Sequence, residues 1–188
     1  LDEKTGEVLW TVEWDANYAG FQWPNGPRAT PTVDGDRIYV LGANGVLQCL
    51  DVETGAVRWM RDYRADYGIG GDATSAPIVE GNLLISIVGA EPDGLVLAWD
   101  KFTGDEVWRS LEVNTDPGVG TPIIITEGGA RQLIIWTPDA VRALDPATGR
   151  LLWDLPFNAP VMNIAVPVIT DHKLLVSSFY TGSLLAEL

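Results

Sequence analysis

Short apolar runs closed by polar turns fill most of the chain, and their order repeats. Ala29-Thr30-Pro31-Thr32-Val33, the turn Asp34-Gly35-Asp36, Arg37 to Leu41, the turn Ala43-Asn44-Gly45 and Val46 to Leu50 read as three antiparallel strands, A, B and C. A fourth strand, D, follows the turn that begins at Asp51. The same grammar returns at Ser75 to Trp99, at Gly120 to Leu144 and at Ala165 to Leu188. No stretch carries a 3.6-residue apolar period, so no helix is expected. The pattern predicts four-stranded meanders and an all-β chain.

The C–D turn is the strongest signal. Leu50-Asp51-Val52-Glu53-Thr54-Gly55-Ala56-Val57-Arg58-Trp59 has near copies at 1–10, 99–108 and 144–153, which place Trp10, Trp59, Trp108 and Trp153 at steps of 49, 49 and 45 residues. A fixed period of this length marks repeats that bury apolar surface against their neighbours. Within each copy the Asp carboxylate can accept from a backbone N–H two residues on, the Thr hydroxyl can brace it, and Gly supplies positive φ. Asp51, Asp100 and Asp145, with Gly55, Gly104 and Gly149, are therefore expected to be structural, and the four Trp residues to dock one unit on the next. Residues 7–13 are expected to form the strand that carries Trp10. Pro31, Pro77, Pro122 and Pro167 recur at steps of 46, 45 and 45 residues in strand A. Proline cannot donate to a ladder, so strand A should be an edge strand in every unit, as in the innermost strand of a propeller blade.

The Asp-x-x-Thr-Gly-x-x-x-Trp pattern resembles the tryptophan-docking motif of the pyrroloquinoline-quinone-like β-propeller repeats. Quinoprotein alcohol dehydrogenases and the propeller lipoproteins of bacterial outer-membrane assembly share these repeats. The resemblance implies an all-β propeller of four-stranded antiparallel blades, with about four blade equivalents in residues 1–188. It further implies a larger ring of about eight blades, whose remaining blades would be partners of this segment, and an extracytoplasmic bacterial setting.

Charge narrows the partners. A formal charge of −14 with only 12 Lys plus Arg argues against nucleic acid and anionic membrane surfaces and favours a neutral or cationic protein or small ligand. No run of 18 apolar residues is present, so no membrane-spanning helix is expected. Cys49 stands alone and reads as a small buried hydrophobe.

Candidate chemistry is sparse. In the dehydrogenases of the resembling family, a stacking Trp, a Ca²⁺ site of Glu, Asn and Asp, a catalytic Asp and often an adjacent Cys-Cys pair hold the quinone. This chain has no Cys-Cys pair and no matching calcium cluster, so no catalytic, cofactor or metal residue is assigned; quinone and calcium would need residues from other blades. Gly68-Ile69-Gly70-Gly71 opens no helix and reads as a loop rather than a phosphate cradle. His172 has no His or Cys partner and reads as a solvated turn residue; Asp34 and Asp36 read as turn formers. The least repetitive segments are the D–A loops, 14–28 and 62–68, which up-and-down strand order places on the face of the B–C loops. Trp23, Arg28, Tyr63, Arg64 and Tyr67 in them are the candidate binding surface; the alternative is that these aromatics fold back over the blades. Three functions remain: a non-catalytic scaffold, a fragment of a quinoprotein dehydrogenase, or a purely structural module.

Overall fold

The computed structural model describes residues 1–19, 26–70, 72–160 and 163–188. Among the described residues, fifteen strands form four antiparallel sheets, each a meander of sequence neighbours, and one short helix lies outside them. Blade 1 comprises β1 (Thr32–Asp34), β2 (Arg37–Leu41), β3 (Val46–Asp51) and β4 (Val57–Asp62). Blade 2 comprises β5 (Ile78–Glu80), β6 (Leu83–Ala90), β7 (Gly94–Asp100) and β8 (Glu106–Ser110). Blade 3 comprises β9 (Ile123–Glu127), β10 (Ala130–Trp136), β11 (Ala140–Leu144) and β12 (Leu151–Pro156). Blade 4 has three strands, β13 (Val168–Thr170), β14 (Lys173–Ser178) and β15 (Gly182–Glu187). The sheet order makes β1, β5, β9 and β13 edge strands, as the prolines require. Each proline nevertheless lies one residue before its strand rather than within it. A ring nitrogen offers no ladder donor, so pairing begins just after it.

The core lies between sheets rather than within one. Tyr39, Leu41, Leu47 and Cys49 of blade 1 meet Leu84, Val88, Leu97 and Trp99 of blade 2 in one buried cluster. Ile85, Ile87, Val96 and Ala98 of blade 2 meet Leu133, Ile135 and Leu144 of blade 3 in a second. Ile134, Trp136, Val141 and Ala143 of blade 3 meet Leu174 and Val176 of blade 4 in a third. Alternate side chains along a strand face opposite sides, so a sheet between two neighbours needs apolar residues at nearly every position. β6 and β7 meet that need with LLISIVGA and GLVLAWD. Cys49 is buried as a small apolar residue, and burial pushes its thiol pKa up.

Two local expectations are corrected. Residues 7–13 form no ladder strand; Trp10 still docks on blade 1 through its bond to Val52 O. Residues 62–68 are not a bare loop: Tyr63–Tyr67 is a short helix, α1, although it is too short to show an apolar period. Asp62 caps its N-terminus by accepting from the backbone N–H of Arg64 and Ala65, and Gly68 closes it in the left-handed region at φ 68°. Among the described residues, no helix is long and apolar enough to cross a membrane.

Candidate functional site

The chain presents two rims. On one lie the A–B and C–D turns, joined where Val52 N donates to Asp36 O and Lys101 N to Asn82 O. Asp51 Oδ1 accepts from the backbone N–H of Glu53 and Thr54 and from the Thr54 hydroxyl, at 3.0, 2.9 and 2.9 Å, while Gly55 N donates to Asp51 O. Asp2 makes the same set with Lys4 and Thr5; Asp100 makes the backbone part of it, and the Asp145 carboxylate accepts from Ala147 N while Thr148 N donates to the Asp145 carbonyl. Arg58 adds an ion pair to Asp51, and it is first among the bonds, with those from Thr54, that hold this carboxyl far below the usual carboxylate range.

Three of the turn glycines, Gly55, Gly104 and Gly149, are each a seat for an indole. A Cβ on Gly55 would stand 2.6 Å from Trp10 Cε3, one on Gly104 2.7 Å from Trp59 Cδ2, and one on Gly149 2.6 Å from Trp108 Cε3. Trp10 Nε1 donates to Val52 O at 3.0 Å and Trp59 Nε1 to Lys101 O at 3.1 Å. Trp153 instead donates to Gln132 Oε1 of its own blade, at 2.8 Å. Three blade junctions are further tied at the end of strand A: Asp34 to Lys101 at 2.7 Å, Glu80 to Arg131 at 2.5 Å, and Glu127 Oε1 to His172 Nδ1 at 2.7 Å. Asp34 and His172 therefore sit in inter-blade contacts as well as in turns.

On the other rim the D–A loops that follow blades 1, 2 and 3 each lie over the B–C turn of the blade they leave. Tyr63 N donates to Gly45 O and Ala73 N to Ala43 O in blade 1; Val113 N donates to Pro92 O in blade 2; Phe157 N donates to Asp139 O in blade 3. The loops are thus on the rim that up-and-down order assigns them, but their aromatics are not free. Tyr63 is 0% exposed and stacks on Trp99 at 5.6 Å and 10°, so it is a core residue and not a surface contact. Burial raises its hydroxyl pKa well above the ordinary tyrosine value. Tyr67 is half-buried; its hydroxyl accepts from Trp99 Nε1 at 2.9 Å, and Arg109 lies 5.8 Å from its ring. Arg64 Nε donates to Asn44 O at 3.0 Å, and Arg28 is ion-paired with Asp72. Trp23 lies outside the described residues. The structure therefore brings Tyr63, Arg64 and Tyr67 together as an inter-blade plug, with the aromatics folded back.

What this rim exposes is acidic. Asp66, Glu91, Asp93, Glu112 and Asp116 are all exposed. A cleft of about 390 Å³ between the B–C loop of blade 2 and the following D–A loop is lined by Glu91, Pro92, Asp93, Glu112, Val113 and Asn114. The sequence reading passed over these residues because they are scattered single acids in two loops 20 residues apart. Among the described residues, no group of three or more His, Cys, Asp or Glu side chains comes close enough to hold a metal ion. The indoles of Trp10, Trp59 and Trp108 are each taken up by a seat on a turn glycine.

Comparison with known proteins places the chain. A quinohemoprotein alcohol dehydrogenase, ADH-IIG of Pseudomonas putida, is 30% identical over 171 residues, 87% of this chain and 23% of that protein. The outer membrane protein assembly factor BamB of Burkholderia pseudomallei is 30% identical over 164 residues, 84% of this chain and 38% of that protein. This chain thus spans less than two fifths of either relative. The crystal structure of BamB from Moraxella catarrhalis superposes with a TM-score of 0.63 at 23% identity, covering 87% of this chain and 51% of that one. The family of pyrroloquinoline-quinone-like repeats described as outer membrane protein assembly factor BamB matches residues 1–187, and the chain belongs to it.

Proposed function

We propose that residues 1–188 act as a single segment of a non-catalytic propeller scaffold, in an extracytoplasmic bacterial setting, that binds a protein through the rim bearing the D–A loops. The observation that carries this reading is the acidic cleft walled by Glu91, Asp93 and Glu112, which offers an exposed, negatively charged groove on that rim. It suits a basic segment of a partner, and a net charge of −14 steers such a partner toward it. The similarity to outer membrane protein assembly factors supports a protein rather than a small molecule as the bound species. The remaining blades of the ring are the other expected partners.

The test is co-purification of envelope proteins with the wild-type chain and with Glu91→Gln/Glu112→Gln, at low and high salt. Loss of a specific basic protein in the variant and at high salt supports the reading; an unchanged set of proteins overturns it. A second reading, a fragment of a quinoprotein alcohol dehydrogenase, is favoured by the 30% identity to the Pseudomonas putida enzyme over 87% of the chain. Saturable uptake of pyrroloquinoline quinone with Ca²⁺, followed by absorbance, would select it.

A further inference from the structure

Blade 3 departs from blades 1 and 2 at its C–D turn. In those two blades the residue after the turn Asp makes two bonds. Val52 N donates to Asp36 O at 3.1 Å and Lys101 N to Asn82 O at 2.9 Å, which ties the C–D turn to the A–B turn of the same blade. The carbonyls of the same residues then receive the docking indoles, Val52 O from Trp10 Nε1 and Lys101 O from Trp59 Nε1. The first bond holds the residue against its own blade, and its carbonyl then faces the blade before. The register puts Pro146 at this position in blade 3, as far beyond Ala143 as Val52 is beyond Cys49 and Lys101 beyond Ala98. A proline nitrogen has no hydrogen to donate, so the tie cannot form. The A–B turn it would reach is Gly128-Gly129, with φ of 57° and 78° and open space around both. The turn itself is also held differently: Thr148 N donates to the Asp145 carbonyl at 3.3 Å, whereas Thr54 N and Oγ1 both donate to the Asp51 carboxylate.

The indole that docks on this turn shows the consequence. Trp108 sits on Gly149 and is 9% exposed, yet its Nε1 is buried and, among the described residues, has no hydrogen-bond partner. The strand that carries it brings less to the junction as well. Ser110 donates its hydroxyl to Gly149 O, where Arg61, at the same place in blade 1, donates to Gly104 O and pairs with Asp105. The inner side of the same junction is well held. Arg131 gives Glu80 two bonds, at 2.8 and 2.5 Å, and Ser75 Oγ donates to Gly120 O at 3.0 Å and Thr74 Oγ1 to Gly118 O at 3.4 Å, all in strand A or on the approach to it.

We propose that the junction between blades 2 and 3 is a joint built into the segment, held along strand A and yielding at strands C and D, so that blades 1 and 2 tilt as a pair against blade 3. In a row of repeats, the junction with the smallest nearest-neighbour contribution opens first. Opening between blades 1 and 2 must part the Trp59 indole from Lys101 O. Opening between blades 2 and 3 breaks no such bond, and it lets an unpaired N–H reach water. The inference rests on the geometry of the repeats and not on the proposed function; its failure leaves the acidic cleft untouched.

Hydrogen exchange of the indole N–H protons, followed by NMR in the 188-residue chain, tests it. Trp108 is buried and Trp59 only half-buried, so burial by itself would make Trp108 the slower of the two. The joint makes it the faster, by about tenfold or more. Pro146→Val puts the residue of blade 1 at this position and supplies an N–H for Gly129 O; it should slow the Trp108 exchange toward the Trp59 rate and raise the denaturation midpoint. Trp108→Phe should lower the midpoint less than Trp59→Phe, because the second change also removes a hydrogen bond. A Trp108 N–H that exchanges no faster than that of Trp59, an exchange rate unchanged by Pro146→Val, or equal losses from the two Phe variants would each overturn the proposal.

Discussion

Blades 2 and 4 are written in the same grammar, yet they live in different surroundings. Blade 2 has a neighbour on each face: β6 and β7 are buried along most of their length, with small and large apolar residues on both sides. Blade 4 has one. β14 alternates strictly between exposed and buried residues, and β15 carries no fully buried one. Burial on alternate residues goes with one covered face, whereas the unbroken buried run of β6 goes with two. The difference teaches that a repeat's stability is mainly an interface property, because neither sheet has a core of its own.

The sharpest way to break that comparison is to truncate one large side chain on each blade. Trp99 in blade 2 is fully buried, stacks on Tyr63 and donates to the Tyr67 hydroxyl. Trp99→Ala should cost about 3–5 kcal/mol, the usual range for emptying a buried aromatic site. Leu185→Ala, at an exposed position of blade 4, should move stability by no more than about 0.5 kcal/mol. Chemical denaturation read by tryptophan fluorescence and circular dichroism measures both. Equal shifts would mean that blades fold as independent sheets.

Next in size is the docking indole itself. Trp59 touches Gly104, bonds to Lys101 O and lies 6.0 Å from the Tyr39 ring between two complete blades. Trp10 makes the same seat and bond but belongs to no sheet. Trp59 is partly buried, so Trp59→Ala is expected to cost about 2–3 kcal/mol, below the fully buried range. Trp10→Ala should cost about 1 kcal/mol. Denaturation midpoints that coincide would remove the docking role from the repeat.

A glycine pair refines the same contrast. Gly104 and Gly182 have φ of 76° and 87°, so an added Cβ is strained at either, by about 1–2 kcal/mol. At Gly104 the new methyl would also collide with Trp59, whereas at Gly182 it meets nothing within 4 Å. Gly104→Ala should therefore exceed Gly182→Ala by the cost of overpacking, about 1–3 kcal/mol. A shared value would show that the indole can move aside freely.

Architecture was legible in the sequence because it is repeated. One Asp-Thr-Gly turn is ambiguous, but four with a Trp four residues after each Gly define a strand order, and the prolines then identify its edge. The register of every blade follows from that turn. The rim was less legible because its residues occur once. Tyr63, Arg64 and Tyr67 look like a binding loop in composition, and only the proximity of Trp99, 32 residues beyond Tyr67, shows that the tyrosines are inter-blade filling. The helix around them has five residues, which is shorter than the period that would announce it. Glu91 and Glu112 become neighbours only through the loop-over-turn bond from Val113 N to Pro92 O, a contact no local pattern encodes.

The smallest effect distinguishes the blades by pH. In blade 1 the Asp51 carboxyl is held well below its ordinary range, first by the hydrogen bond from Arg58 and then by those from Thr54, and Asp36 is lowered chiefly by the same Arg58. These bonds belong to the C–D turn of blade 1, where Arg58 and Thr54 both reach the Asp51 carboxylate. A carboxyl whose folded pKa lies below its unfolded value, about 4, favours the folded state at neutral pH, and the advantage disappears as pH falls from about 4 toward the folded pKa. Both groups are exposed and screened, so the change should be modest and should shrink in salt. Asp51→Asn keeps an acceptor for Thr54 but gives up the charge facing Arg58. It should therefore lower stability slightly at pH 7 and flatten the loss between about pH 4 and 2. Denaturation midpoints for the two proteins that stay parallel across that interval would show that the Arg58 pair contributes nothing to the turn.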